Sequence, residues 1–192
     1  MTRDEAVALF TLDRIKSGPA QMDVRKLTDM NGQYVTELPL EVFARSAREL
    51  LKDYPWWQAP DEPYFSKVCE LMQSRVKLLT QIEDWKYYFT DDIDYEEKAV
   101  RKVLRKEGIR QGLEAALKSL GAVDFDDDTA IERAIRSAET EAGVREGKLN
   151  QALRVAVTGI SRGAGIYETM AVLGKECSLK RIKYAVANLS GC

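Results

Sequence analysis

A glycine-bearing turn, Val157-Thr-Gly159-Ile-Ser-Arg-Gly163-Ala-Gly165, has only 27 residues after it, and that limits the fold more than any other feature of the chain. Glycines so spaced let backbone amides approach a pyrophosphate at a helix N-terminus. A dinucleotide loop of that kind sits after the first strand of a doubly wound sheet, with a ribose-selecting residue about 20 positions later and more strand-helix units beyond. Past Gly165 the chain reads as two short helical patterns with no β-branched run between them. No sheet can be built from that remainder.

Helical periodicity extends upstream. Leu27, Met30 and Tyr34 fall on one face of a helix begun near Asp23, and Val42, Ala47, Leu50 and Leu51 repeat the spacing after Pro39. A long helix opening near Pro63 reads Tyr64, Val68, Leu71, Met72, Val76 and Leu79 as its buried stripe. An aromatic helix over 82–89 leads into the turn composition of 90–94. Beyond it lie helices over 96–106, 111–120, 129–143 and 148–157, with Gly108, Gly121 and Gly147 as stops and Asp127 or Asp128 placed to cap the third. The pattern predicts an all-α fold of two packed helical subdomains, 1–93 and 94–192. Trp56, Trp57 and Trp85 are expected in packing rather than in base stacking.

Histidine is absent, which removes Ser-His-Asp and Cys-His catalysis and most catalytic zinc sites. The three cysteines, 69, 177 and 192, form no Cys-x-x-Cys pair, so free thiols are expected, buried at Cys69 and Cys177, and no metal site. No apolar run is long enough to span a membrane and Met1-Thr-Arg-Asp-Glu is no signal peptide, so a soluble cytoplasmic protein is expected. Net charge is −2 overall, but 145–183 carries eight basic residues against three acidic ones, leaving −7 on the rest. A basic end on an acidic body suits contact with a phosphate backbone.

Taken alone, the glycine turn is similar to that of short-chain dehydrogenases, so a nucleotide-cofactor enzyme is one alternative. The whole tail, however, with Gly147-Lys-Leu-Asn-Gln-Ala-Leu-Arg154, Leu173-Gly-Lys-Glu176 and Leu179-Lys-Arg-Ile182, resembles the C-terminal end of bacterial-type glutamyl-tRNA synthetases. Further motifs match that family's anticodon-binding region in order: Glu5-Ala-Val-Ala-Leu-Phe10, Met30-Asn31-Gly32-Gln-Tyr34, Glu70-Leu71-Met72 with Arg75, and Tyr88-Phe89 with Glu97-Lys98-Ala99. The resemblance covers essentially the entire chain. Departures are Asp29, where many members carry tryptophan, and Gly163-Ala164 in place of a residue-proline pair.

The resemblance implies a domain that splays and reads anticodon bases, since sequence-specific RNA recognition targets unstacked loops. It assigns Arg75 to the last anticodon base, where a planar guanidinium can donate two hydrogen bonds to a base edge. It assigns Arg154, Thr158, Arg162, Gly163, Ala164, Gly165 and Ile166 to the segment meeting the first two bases, with Arg162 toward phosphate and the glycines allowing close approach. It implies no catalytic residue and no cofactor on this chain, because the His-x-Gly-His-type and Lys-Met-Ser-Lys-Ser-like motifs that bind ATP are missing. The partners it implies are tRNA for glutamate, with glutamine tRNA as a second candidate, and the catalytic half of the same synthetase, in a monomer. That half would leave Leu9, Phe10 and Leu12 exposed here. A helical interaction protein that has lost tRNA binding is the remaining alternative.

Overall fold

Side-chain oxygens from short acidic residues set several helix starts in the computed structural model, which describes residues 2–15, 18 and 21–191. Thr2 caps α1 (Arg3–Leu9). Asp23 accepts the Arg25 and Lys26 amides at 3.0 and 3.2 Å and opens α2 (Val24–Glu37). Pro39 precedes α3 (Leu40–Leu51), and Asp61 caps α4 (Glu62–Gln73) with Pro63 in its first turn. A 3-10 turn, Leu79–Trp85, runs into α5 (Lys86–Phe89). Then come α6 (Glu97–Ala99), continued by a π turn over Val100–Leu104, and α7 (Ile109–Leu120). Asp127, not Asp128, caps α8 (Asp128–Glu141). The chain continues through α9 (Lys148–Thr158), α10 (Ile166–Leu173) and α11 (Lys175–Asn188). No strand occurs among the described residues, so the fold is all-α and the cofactor-loop alternative loses the sheet it requires. Cys192 and Met1 lie outside the described residues.

Four local expectations are corrected. The long helix stops at Gln73, because the Arg75 and Val76 amides turn back onto Met72 and Gln73 and the Gln81 side chain takes the amides of Lys77 and Leu78 at 2.8 and 3.1 Å. Val76 stays buried and Leu79 partly buried, but from outside α4. The stripe on α3 is turned by one position: Phe43, Ala47 and Leu51 are buried and Val42 is exposed. On α2 the expected stripe is not the core face, Leu27 being 51% and Met30 45% exposed. That helix buries Gly32 and Val35 and is further held by polar bonds: Gln73 Nε2 donates to the Val35 and Leu38 carbonyls at 2.8 Å, Asn31 Nδ2 to the Lys77 carbonyl, and Lys77 pairs with Asp29 at 2.6 Å. Gly108 and Gly147 also stand immediately ahead of α7 and α9 rather than ending the helices before them.

Buried side chains form two clusters. One joins Phe43, Leu51, Phe65, Val68, Met72, Ile82 and Trp85; the other runs from Ala99 through Leu113, Ile135, Leu153 and Met170 to Ala185. Trp85 is fully buried beside Phe43, while Trp56 stacks on Tyr54 and Phe89 and Trp57 meets Phe65 and Phe89 edge-on, as packing residues should. Ala164 from the later half packs into the first cluster. Arg181 ties the halves from behind: its Nη1 and Nη2 donate to the carbonyls of Val157 and Thr90 at 2.8 and 2.7 Å. Cys69 is buried, which pushes its thiol up to about 12, and Cys177 is half-buried and also raised by burial. Neither is poised as a nucleophile.

Candidate functional site

The end of α9 begins the site. Thr158 Oγ1 donates to the Arg154 carbonyl at 2.8 Å and accepts the Ile160 amide at 3.3 Å, so the hydroxyl substitutes for the next helical turn. Gly159 comes next at φ +81°, its amide on Val155 and its carbonyl accepting the Glu96 amide at 2.9 Å. The chain then loops over 160–165, with Gly163 at φ +137°, and enters α10 at Gly165.

Side chains hold the loop from three directions. Arg154 Nη1 donates to the Ala164 carbonyl, and Gln151 Nε2 to the Ser161 carbonyl at 2.8 Å. Arg162 reaches the other way, bidentate on Asp84 at 3.1 and 3.2 Å and 2.7 Å from Glu96 Oε1. These carboxylates raise the Arg162 pKa, Asp84 first and Glu96 second. For Arg154, burial pulls the pKa down, and like charge from Arg75 adds to that. Burial also holds the Tyr87 and Tyr88 phenols neutral, raising both.

Across from the loop stand the turn after α4 and the 3-10 segment. Between them lies a cleft of about 210 Å³ lined by Arg75, Gln81, Asp84, Tyr87, Arg162 and Gly163. A neighbouring cleft of about 260 Å³, behind Asp84, has Trp56, Lys86, Asp94, Thr158 and Ile160 in its walls. The fold therefore brings Arg75, Arg162 and Gly163 to one opening, with Arg154 bracing the loop behind them. Thr158, Ala164 and Ile166 are buried, so their side chains shape the loop and do not line that opening. Gly165 is packed against the Glu168 carboxylate, which a Cβ would strike.

The cleft offers side-chain hydrogen-bond donors from Arg75 and Gln81 beside Arg162, whose charge is balanced by Asp84 and Glu96. That suits recognition of a flat polar group, such as an unstacked base, more than proton transfer. Among the described residues no cluster of metal-ligating side chains occurs, and no helix is long and apolar enough to cross a membrane. Sequence reasoning missed Gln81, Asp84, Tyr87 and Glu96, none of which carries a distinguishing spacing. Replacing Arg154 with methionine should release the loop: amide hydrogen exchange over 160–165 is expected to speed up tenfold or more, with α9 unaffected.

The sequence profile described as an anticodon binding domain matches residues 43–186. The glutamate-tRNA ligase of Desulforudis audaxviator is 35% identical over 194 residues, covering 97% of this chain and 38% of the relative. That of Thermus thermophilus is 35% identical over 189 residues, covering 97% and 39%. The chain thus spans well under half the length of these curated relatives. A crystal structure of a glutamate tRNA ligase from Elizabethkingia meningosepticum, 22% identical, superposes with a TM-score of 0.79 over 97% of this chain and 37% of that one, which shows the shared fold.

Proposed function

The chain belongs to the anticodon-binding domain family, and from that premise we propose that it reads the anticodon of a glutamate tRNA on behalf of an ATP-dependent glutamate-tRNA ligase. The observation that carries this reading is the convergence of Arg75, Arg162 and Gly163 on one cleft, from segments 87 residues apart. Residues 1–93 and 94–192 act as the two units between which the anticodon is held. ATP and the acylation chemistry belong to a catalytic half, and the protein works in the cytoplasm as a monomer.

The exposed apolar residues near the N-terminus support a docking role toward that half. Phe10 is 65% exposed, and Val7, Leu9, Leu12 and Ile15 are more than half exposed beside it; α1 buries nothing. Five exposed apolar residues within nine positions fit an interaction site.

Binding of glutamate-tRNA transcripts, native and with altered anticodon bases, tests the reading. Preference for the native anticodon is expected; equal binding would transfer the chain to the class of helical interaction proteins that no longer read tRNA. Within that measurement, Arg75→Gln should cost about 1–3 kcal/mol of discrimination at the last anticodon base, the value of one bidentate base contact. It should also raise acceptance of glutamine tRNA if the last base decides between them. An unchanged last-base preference would return Arg75 to the solvated surface.

A further inference from the structure

Immediately beyond the cleft the chain turns basic. Lys98, Arg101, Lys102, Arg105 and Lys106 are all exposed, and no acidic residue lies between them. Ala99, Val100 and Leu104 on the opposite side are buried, and Val103 is partly buried. The π turn, closed by the Arg105 amide on the Val100 carbonyl at 3.2 Å, continues α6 and keeps the cations in file along one face, over a length of about 12 Å. None of the five has a carboxylate within 4.0 Å among the described residues, whereas Arg48, Lys77, Arg110, Lys118, Arg136, Arg162 and Lys180 all do. Five cations in nine residues, bracketed in sequence by the exposed Glu97 and Glu107 but paired with neither, repel one another, so the arrangement gains when an anion is laid along it.

The position of this stripe identifies the anion. It starts two residues after Glu96, whose amide holds the Gly159 carbonyl and whose carboxylate holds Arg162 in the cleft wall. Tyr95, one residue earlier, stacks at 5.7 Å on Tyr184, which is half exposed beside the exposed Lys183. An amphipathic helix seated on a membrane adds an apolar face to its charges, and here that face is spent in the core, which favours a solvated polyanion.

We propose that the 98–106 stripe is a second, sequence-independent RNA contact, gripping the phosphate backbone of the stem that adjoins the loop read at the cleft. It rests on the reading of this chain as an RNA-binding module and adds to it a division of labour. The cleft supplies specificity. The stripe supplies salt-dependent affinity and sets the direction in which the stem leaves the cleft.

The test is the fourfold variant Lys98→Gln, Arg101→Gln, Lys102→Gln and Arg105→Gln in the full chain, its fold checked by circular dichroism melting. Binding of a glutamate-tRNA transcript is measured from 50 to 300 mM salt. The slope of log affinity against log salt is expected to become shallower by about 0.7–0.9 for each phosphate that the variant no longer neutralises, with affinity at 150 mM falling tenfold or more. An anticodon-loop oligonucleotide without a stem should bind both proteins alike. The ratio between native and altered anticodons should not move. An unchanged slope, or equal weakening on the stemless oligonucleotide, would overturn the stripe. So would loss confined to phosphatidylserine vesicles. If the slope falls in a protein that never distinguished anticodons, the anticodon reading fails and the stripe stands.

Discussion

Replacing Gly159 with alanine is expected to lower the unfolding free energy by about 3–4 kcal/mol. Two costs combine. The backbone sits at φ +81°, where a side chain costs about 1–2 kcal/mol. The new Cβ would also lie 2.0 Å from the Asp94 carbonyl oxygen and 3.0 Å from its carbon. That neighbour is backbone, so it cannot swing aside as a side chain would. Moving it breaks the 2.9 Å bond from the Glu96 amide to the Gly159 carbonyl and pulls Glu96 from Arg162. The control is Gly143→Ala, at φ +63° with open space around it, which should cost only the conformational part, about 1 kcal/mol. Urea midpoints of the two variants decide the matter; equal losses would mean that the approach of the 94–96 segment to α9 contributes nothing. The larger loss should also weaken the proposed RNA binding, because Glu96 in the displaced segment holds Arg162 at the cleft.

How far such a site can be read in advance depends on the range of the forces that build it. The starts of α2 and α8 were legible because an aspartate and the amides it caps lie within three residues, and that of α4 because Pro63 sits in its first turn. The end of α4 was not, because Gln81 closes it from beyond the helix. Periodicity located an apolar face on α2 but carries no information on whether anything covers it, and there Leu27 stays open while Gln73 and Asn31 dock the helix. Within the site, the glycines and arginines of 154–165 announced a loop of close approach. That Arg75 would meet it came only from resemblance, since no local rule links a turn after α4 to a loop after α9. Asp84 and Glu96 were silent, being ordinary carboxylates until the fold places them 3.1 and 2.7 Å from Arg162. Arg154 illustrates the same limit: the resemblance implied a ligand contact, and part of its guanidinium is already committed to the Ala164 carbonyl.

The second large effect belongs to a carboxylate that never touches the cleft. Glu139 is 2% exposed, and its Oε1 accepts the Leu149 amide at 2.9 Å while Oε2 accepts Arg136 Nη1 at 2.8 Å. Arg136 Nη2 in turn donates to the Tyr167 hydroxyl at 2.7 Å, which donates to Asn150 Oδ1 at 3.0 Å. One network therefore joins α8 to the first turn of α9 and to α10, the two helices that carry the ends of the 159–165 loop. Glu139→Ala should cost about 2–3 kcal/mol, because it leaves the buried Leu149 amide without an acceptor and removes the shortest carboxylate contact of Arg136, which keeps only Glu132 at 3.2 Å and Glu146 at 3.8 Å. The same geometry fixes the sign of a pH effect. Burial by itself pushes the Glu139 carboxyl up, but the Leu149 amide, the Arg136 guanidinium and the Gly147 amide outweigh it and hold the group below the ordinary glutamate value. A depressed folded value means that the contribution is present above the unfolded pKa of about 4.3 and is lost as pH falls through the folded one. Wild-type stability should thus drop on acidification below about pH 4, and Glu139→Gln, which keeps the shape without the titration, should show a lower plateau at pH 7 and a shallower acid limb. Parallel acid limbs in the two proteins would assign that drop to other carboxylates.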